Sequence, residues 1–391
     1  MPLSRFISTA PNVPLAGFLV TLIVLVWAVP IRAEDSGEWL TAPPSDRAEV
    51  VEGLMEYFGP GPGPEDIVPP EVEVVEERDM GDHVRRTLRY LVEEGEHGEA
   101  YLLLPKPLPN AENPVPLALC PHPTHALGKD SVIGNFREPP ADEQEAEHRG
   151  QRMYALELVR RGFVVFAPDR AAYGARRVVE NERSGRRLME AYREQFFDER
   201  WPEWRLTSGK MVWDLQRALD FLLEYDFVDS GNVGIIGHSL GGWDAMMFTA
   251  VDERVTAAVA NGGGAIDFMP QLWTDAEARR RALADPDGSN LNLRRMTNIF
   301  LMGIAPRSFL YLRADNDSGE TPGPARIREH YPLVVDYYRQ AAGNRPVTWH
   351  APVAFYYHSN EHGFEAEARA LAYTWLEIQL GMRTPGELIE H

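Results

Sequence analysis

One stretch limits the choice of fold more than any other: Asn232 to Asp244, which reads NVGIIGHSLGGWD. Val233 to Ile236 is a short apolar run, Gly237-His238-Ser239-Leu240-Gly241 follows at once, and Gly242 to Val251 has the composition of a helix. A strand that passes through G-x-S-x-G straight into a helix predicts a tight elbow with the serine at its tip. Side chains two residues either side of that tip would collide with neighbouring backbone, which explains both glycines. Ser239 Oγ then stands clear of the sheet at a helix N-terminus, where free N–H groups favour developing negative charge.

The rest of the chain alternates around this elbow. Val72 to Val75, Val84 to Val92 and Ala100 to Leu104 are β-rich runs parted by Gly81-Asp82 and Gly95 to Gly98, and they predict antiparallel strands. From Pro116 the pattern changes: buried strands at Pro116 to Cys120, Phe163 to Ala167, Val255 to Ala260, Ser308 to Leu312 and Val353 to Tyr357, with helices at Gln151 to Arg161 and along Met211, Leu215, Ala218, Leu219 and Leu222. This alternation predicts an α/β fold with a mainly parallel central sheet, helices on both faces, and antiparallel strands at its start. Two segments break the rhythm, residues 170–208 and 262–307, rich in aromatics such as Trp204 and Trp273. Both leave strand C-terminal ends, where open α/β sheets bind ligands, so they are expected to wall a pocket.

The N-terminus carries a different signal. Arg5 precedes an apolar run from Leu15 to Val29, and Ile31-Arg32-Ala33 offers a cleavage site ahead of Glu34 and Asp35. Residues 1–33 therefore read as a signal peptide and the protein as exported, periplasmic or secreted. Left uncleaved, the run is near the lower limit for a membrane anchor, the one way in which a membrane becomes a partner. Residues 34–70 form an extension with a helix over Asp46 to Phe58 and a linker, Gly59-Pro60-Gly61-Pro62-Gly63-Pro64, expected to be neither helix nor strand. Residues 71–382 form the catalytic domain and 383–391 a tail. Lys+Arg is 39 against 59 for Asp+Glu, a net charge of -20, which argues against nucleic acid as a partner. Lysine occurs only at Lys106, Lys129 and Lys210, and Cys120 is the sole cysteine, so no internal disulfide can form.

A serine hydroxyl is a poor nucleophile unless a base takes its proton and a third group orients that base. In this arrangement the chain order is serine, acid, histidine. Arg313-Ala314-Asp315-Asn316-Asp317-Ser318 follows an apolar strand, and either aspartate can serve; Asp317, deeper in the loop, is preferred, with Asp315 the alternative. For the base, His362 sits beside Gly363 on the loop before a closing helix and is preferred to His358 at the strand end. The oxyanion needs donors fixed in advance. Leu240 N–H is one; in Pro121-His122-Pro123-Thr124-His125, Pro123 lacks an N–H, so Thr124 is the other and His122 braces the loop. Cys120, His122 and His125 admit a metal reading, but no third-ligand motif accompanies them, and neither metal nor cofactor is expected.

LCPHPTHALGKD (Leu119 to Asp130), FVVFAPD (Phe163 to Asp169), GKMVWDLQRALDFL (Gly209 to Leu222), GHSLGGWDAMMFTAVDERVTAAV (Gly237 to Val259), APRSFLYLRADNDS (Ala305 to Ser318) and HGF (His362 to Phe364) together resemble an α/β-hydrolase, closest to the dienelactone-hydrolase and acetyl xylan esterase-like group. The resemblance implies a carboxylic-ester hydrolase acting on small-molecule or carbohydrate esters, and it also lands on Asp317 as the acid. Pro123 stands where that group usually has glycine. His122, Trp204, Trp243 and Trp273 are the expected substrate contacts. Two rivals remain open: a peptidase or amidase with the same triad, and a catalytically silent carbohydrate-binding protein on a hydrolase fold.

Overall fold

A computed structural model describes residues 47–136, 138–196, 204, 208–263, 301, 303–314, 338, 341, 353–358 and 362–384. The expected leader lies outside the described residues, as do Asp315, Asp317 and Trp273. Among the described residues the strands are β1 (Glu73–Asp79), β2 (His83–Glu93), β3 (Glu96–Pro105), β4 (Val115–Leu119), β5 (Val164–Pro168), β6 (Val228–His238), β7 (Ala257–Asn261), β8 (Ser308–Ala314) and β9 (Val353–His358). They form one sheet in the order β1-β2-β3-β5-β4-β6-β7-β8-β9. The first three strands and the β3–β5 pair are antiparallel; from β5 to β9 every neighbour is parallel.

Strand alternation sorts the core into two layers. Leu117, Leu119, Val233 and Ile235 point to the face covered by α1 (Arg47–Phe58), α5 (Gly209–Leu222) and α6 (Leu240–Val251). Ala118, Cys120, Ile236 and Val259 point to the other, covered by α3 (Tyr154–Val159) and α7 (Ala366–Gln379). On α5 the buried Met211, Leu215, Ala218, Leu219 and Leu222 recur at helical spacing, so one stripe meets the sheet. Each leucine buried this fully contributes roughly 1.5–3 kcal/mol relative to exposure.

Two elements depart from expectation. Glu143–Gly150 is a helix, α2, that has no apolar stripe; it is started by the Asp142 carboxylate accepting from Glu145 N at 2.8 Å. The Gly/Pro linker, expected to hold no regular structure, ends in a short 3-10 turn over Pro64–Asp66: proline pre-sets the first φ, and the Asp66 carboxylate accepts from Gly63 N at 2.8 Å.

The insertion after β5 contains helix α4 (Gly185–Phe196), rooted by a buried ion cluster. Lys210 Nζ, fully buried, donates to Asp214 Oδ1 at 2.7 Å, lies 2.9 Å from Glu96 Oε2, and reaches Glu93 as well. Arg176 bridges Asp214 Oδ2 at 2.5 Å and Glu96, and Tyr192 of α4 donates to Glu96. Burial alone would raise the Glu96 pKa, but Lys210 and Arg176 outweigh it and hold it at about 2. At the far end of α6, Arg47 of α1 donates to Ala250 O and Val251 O, both at 3.1 Å, and to Gly303 O at 3.0 Å.

Candidate active site

The sequence from β6 into α6 folds as the glycines require. Ser239, half-buried, sits at the junction with φ 55 and ψ −119, a strained conformation for a residue with a side chain. A Cβ on Gly237 would fall 2.0 Å from Gly241 O, and one on Gly241 would fall 2.2 Å from Pro121 O. Only hydrogen fits at either place. Ser239 N donates to Asn261 O at 2.8 Å, and Ser239 O accepts from Gly242 N and Trp243 N at 2.9 and 3.1 Å, starting the helix. The first amides of a helix, beginning here with Leu240, have no carbonyl one turn earlier to bond.

The parallel register aligns several loops at one edge. His238 pairs with Asn261, Asn261 with Leu312, and Ala314 with His358, so β6 to β9 end together. His362, between β9 and α7, lies against the elbow, with its Nε2 2.9 Å from Ser239 Oγ. His362 is exposed at the open side of this contact, while the ring of His238 lies 5.0 Å away, centroid to centroid, behind it. His362 and Ser239 are thus within the reach that proton transfer needs.

The loop after β4 closes the other side. Its Pro121 carbonyl touches the elbow at Gly241 and accepts from the buried Tyr154 hydroxyl. His122 is fully buried; its Nδ1 donates to Pro123 O at 2.7 Å and its Nε2 accepts from Arg170 N at 3.1 Å. That pairing requires a neutral ring, and burial drives its pKa down to about 3 despite the Pro123 carbonyl. Arg170 NH2 in turn donates to Asp244 Oδ1 of α6 at 2.7 Å, with Nε 2.6 Å from Oδ2. Burial pushes the Asp244 carboxyl up to about 6 although Arg170 opposes the shift. A chain of contacts therefore runs from α6 through Asp244, Arg170 and His122 to Pro123, next to Thr124. Thr124 itself is exposed, its methyl packed near Gly185.

Three of the expected substrate contacts are buried in the structure. His122 has no exposed surface and both ring nitrogens engaged, so it braces the loop and can neither touch a ligand nor hold a metal in this arrangement. Trp204, 3% exposed, has its indole against Gly61 and Gly209, where it fastens the Gly/Pro linker to α5. Trp243, 4% exposed, belongs to the core layer beneath α6. Apolar bulk drew the two indoles inward. Sequence reading missed Asn261, Arg170 and Asp244; the last was visible as a lone charge in the otherwise apolar LGGWDAMMFTAV, where an ionised residue needs a partner.

The model of the alpha/beta hydrolase family matches residues 134–380, well over half the chain. The chain is an α/β hydrolase. A Bacillus subtilis (strain 168) protein described as "Putative hydrolase YtaP" is 26% identical to it over 216 residues, 54% of this chain and 63% of that protein, so less than two thirds of the relative is spanned. Among solved structures, this α/β hydrolase is similar to a CE15 glucuronoyl esterase from Teredinibacter turnerae T7901, with a TM-score of 0.58 and 17% identity over 93% of this chain and 99% of that one. It is also similar to a protein from Bacteroides fragilis NCTC 9343 described as a putative acetyl xylan esterase, with a TM-score of 0.56 and 15% identity over 90% and 83% of the two chains.

Proposed function

We propose that this α/β hydrolase is an exported serine esterase that cleaves carboxylic esters through an acyl-enzyme, acyl esters of carbohydrates among them. One observation carries the reading: a serine forced to positive φ at a helix start with an imidazole nitrogen 2.9 Å from its oxygen. Ser239 Oγ attacks the ester carbonyl while His362 Nε2 takes its proton, and the imidazolium that forms is steadied by the carboxylate of Asp317. The carbonyl electrons move to an oxyanion held by the N–H groups of Leu240 and Thr124. As the tetrahedral carbon collapses, His362 returns the proton to the departing alcohol. Water, deprotonated by His362, then attacks the acyl-enzyme, and the carboxylic acid leaves as Ser239 regains its proton. These steps need no cofactor. The carbohydrate-ester half of the reading is supported by the names of the structural neighbours, and export by the sequence of residues 1–33.

The test is Ser239→Ala in the purified protein, assayed on acetyl, longer acyl and uronate methyl esters beside a matched amide. Turnover of the preferred ester should fall on the order of 10⁴- to 10⁶-fold with the fold intact. Near-normal hydrolysis by the variant would refute the nucleophile, and a preference for the amide would move the protein to the peptidases.

A further inference from the structure

Asn261 is the last residue of β7, fully buried, and three contacts converge on it. Its backbone oxygen accepts from Ser239 N at 2.8 Å. Its side-chain Nδ2 is 2.9 Å from Gly363 O, on the loop that carries His362, and 2.8 Å from Nδ1 of His238, the residue before the nucleophile. A carbonyl can only accept, so Gly363 O settles which end of the amide faces it: the NH2 group, not the oxygen. The second hydrogen of that NH2 then points at His238 Nδ1, which must offer its lone pair. The Asn261 backbone oxygen is also near that nitrogen but farther, at 3.3 Å. The shorter of the two contacts favours a neutral His238 ring with its proton on Nε2.

The remaining atom of the amide sharpens the point. Asn261 Oδ1 is buried with no hydrogen-bond partner among the described residues, a costly state for an acceptor. The stability of this strand end does not call for such a residue. Its side chain instead ties the two histidines' surroundings together: the His238 ring packs 5.0 Å from the His362 ring and 6.1 Å from Phe364. When His362 accepts the serine proton it becomes a cation, and a second imidazolium at that separation would lower its basicity. Tyr154, hydrogen-bonded to the His238 backbone, keeps its hydroxyl protonated through burial.

We propose that Asn261 is the positioning residue of this site: one side-chain NH2 holds the His362 loop in place and keeps His238 uncharged behind the base, while its backbone oxygen holds Ser239. The proposal rests on the reading of Ser239 and His362 as nucleophile and base. Asn261→Asp keeps the shape but cannot donate; its carboxylate is repelled by Gly363 O and draws a proton onto His238 Nδ1.

The experiment compares the full-length protein with Asn261→Asp by two readouts. Histidine labelled with ¹⁵N, with His238 assigned by difference against His238→Phe, reports the tautomer; kcat and KM are measured per site titrated with a fluorophosphonate. The expected result is a neutral, Nε2-protonated His238 at pH 7 in the wild type and a proton on Nδ1 in the variant. The variant's kcat should fall about 10- to 100-fold with little change in KM, the mark of a displaced reacting group. A wild-type His238 that is charged or protonated on Nδ1 at that pH overturns the proposal, and this needs no variant to fold. So does an Asn261→Asp protein that labels fully and turns over at the wild-type rate. Failure of the wild type to react with the fluorophosphonate would instead sink the esterase reading and leave the tautomer result standing.

Discussion

Two of the polar clusters in this molecule, one around Lys210 and one around Ser239, are built on opposite terms. Around Lys210, full charges meet: an ammonium with three N–H groups faces the carboxylates of Glu93, Glu96 and Asp214, and Arg176 bridges two of them. Around Ser239, the described contacts run through backbone carbonyls, one carboxamide and imidazole nitrogens. A saturated ion cluster admits one arrangement and resists any other, which suits the root of an insertion. A site that passes a proton between Ser239 and His362, as proposed above, is better served by partners whose attraction does not trap it on either atom.

Removing the central charge of the first cluster tests that contrast most strongly. Lys210→Met takes the ammonium from Glu93 and leaves Glu96 and Asp214 to Arg176, and should destabilise the fold by about 3–5 kcal/mol, read from urea unfolding. Turnover per titrated site should fall far less than stability does; if kcat collapses while the melting temperature holds, the two clusters are one machine and the contrast is wrong. The complementary change is Gly241→Ala, which drives a Cβ into the Pro121 carbonyl. There kcat should drop about 100-fold, some 2.7 kcal/mol of barrier. Wild-type kinetics in that variant would mean the β4 loop and the elbow are not in register during catalysis.

A smaller effect sharpens the comparison through pH. His122 is held neutral with its pKa depressed from 6.5 to about 3, and His125 to about 4, both chiefly by burial. An unfolded chain binds those protons at higher pH than the folded one, so the stabilisation is complete above pH 6.5 and drains away as pH falls toward 3. Each such group contributes a slope of at most about 1.4 kcal/mol per pH unit. Melting temperatures between pH 7 and 4 should therefore fall less steeply for His122→Gln than for the wild type. Equal slopes would show that the carboxylates alone set the acid limit.

What was legible in the sequence follows the strength of the local rule. The elbow could be read because two glycines and a serine at fixed spacing have few other uses, and His362 because a histidine beside glycine lies just before the last helix. Parallel strands announced themselves as unbroken apolar runs. Asn261 was hidden because Ala260-Asn261-Gly262-Gly263 reads as ordinary strand-ending punctuation, and its role depends on Gly363, some hundred residues later, |i−j| 102. The ion cluster was hidden for the same reason: Glu93 and Glu96 look like turn charges, and only the fold brings Lys210 between them. Yet the scarcity of lysine was a clue. Two of the three lysines, Lys129 and Lys210, are buried beneath carboxylates, positions that a compact ammonium fills better than a planar guanidinium. The burial of Trp204 and Trp243 could not be read because ring size says nothing about which way an indole faces.

Arg47 adds a matter of timing. Its guanidinium caps the last carbonyls of α6 across a sequence separation of 203, a contact of long range. As the chain is made, this arginine emerges first and its acceptors emerge long afterwards, so this tie between α1 and α6 waits for Ala250, Val251 and Gly303.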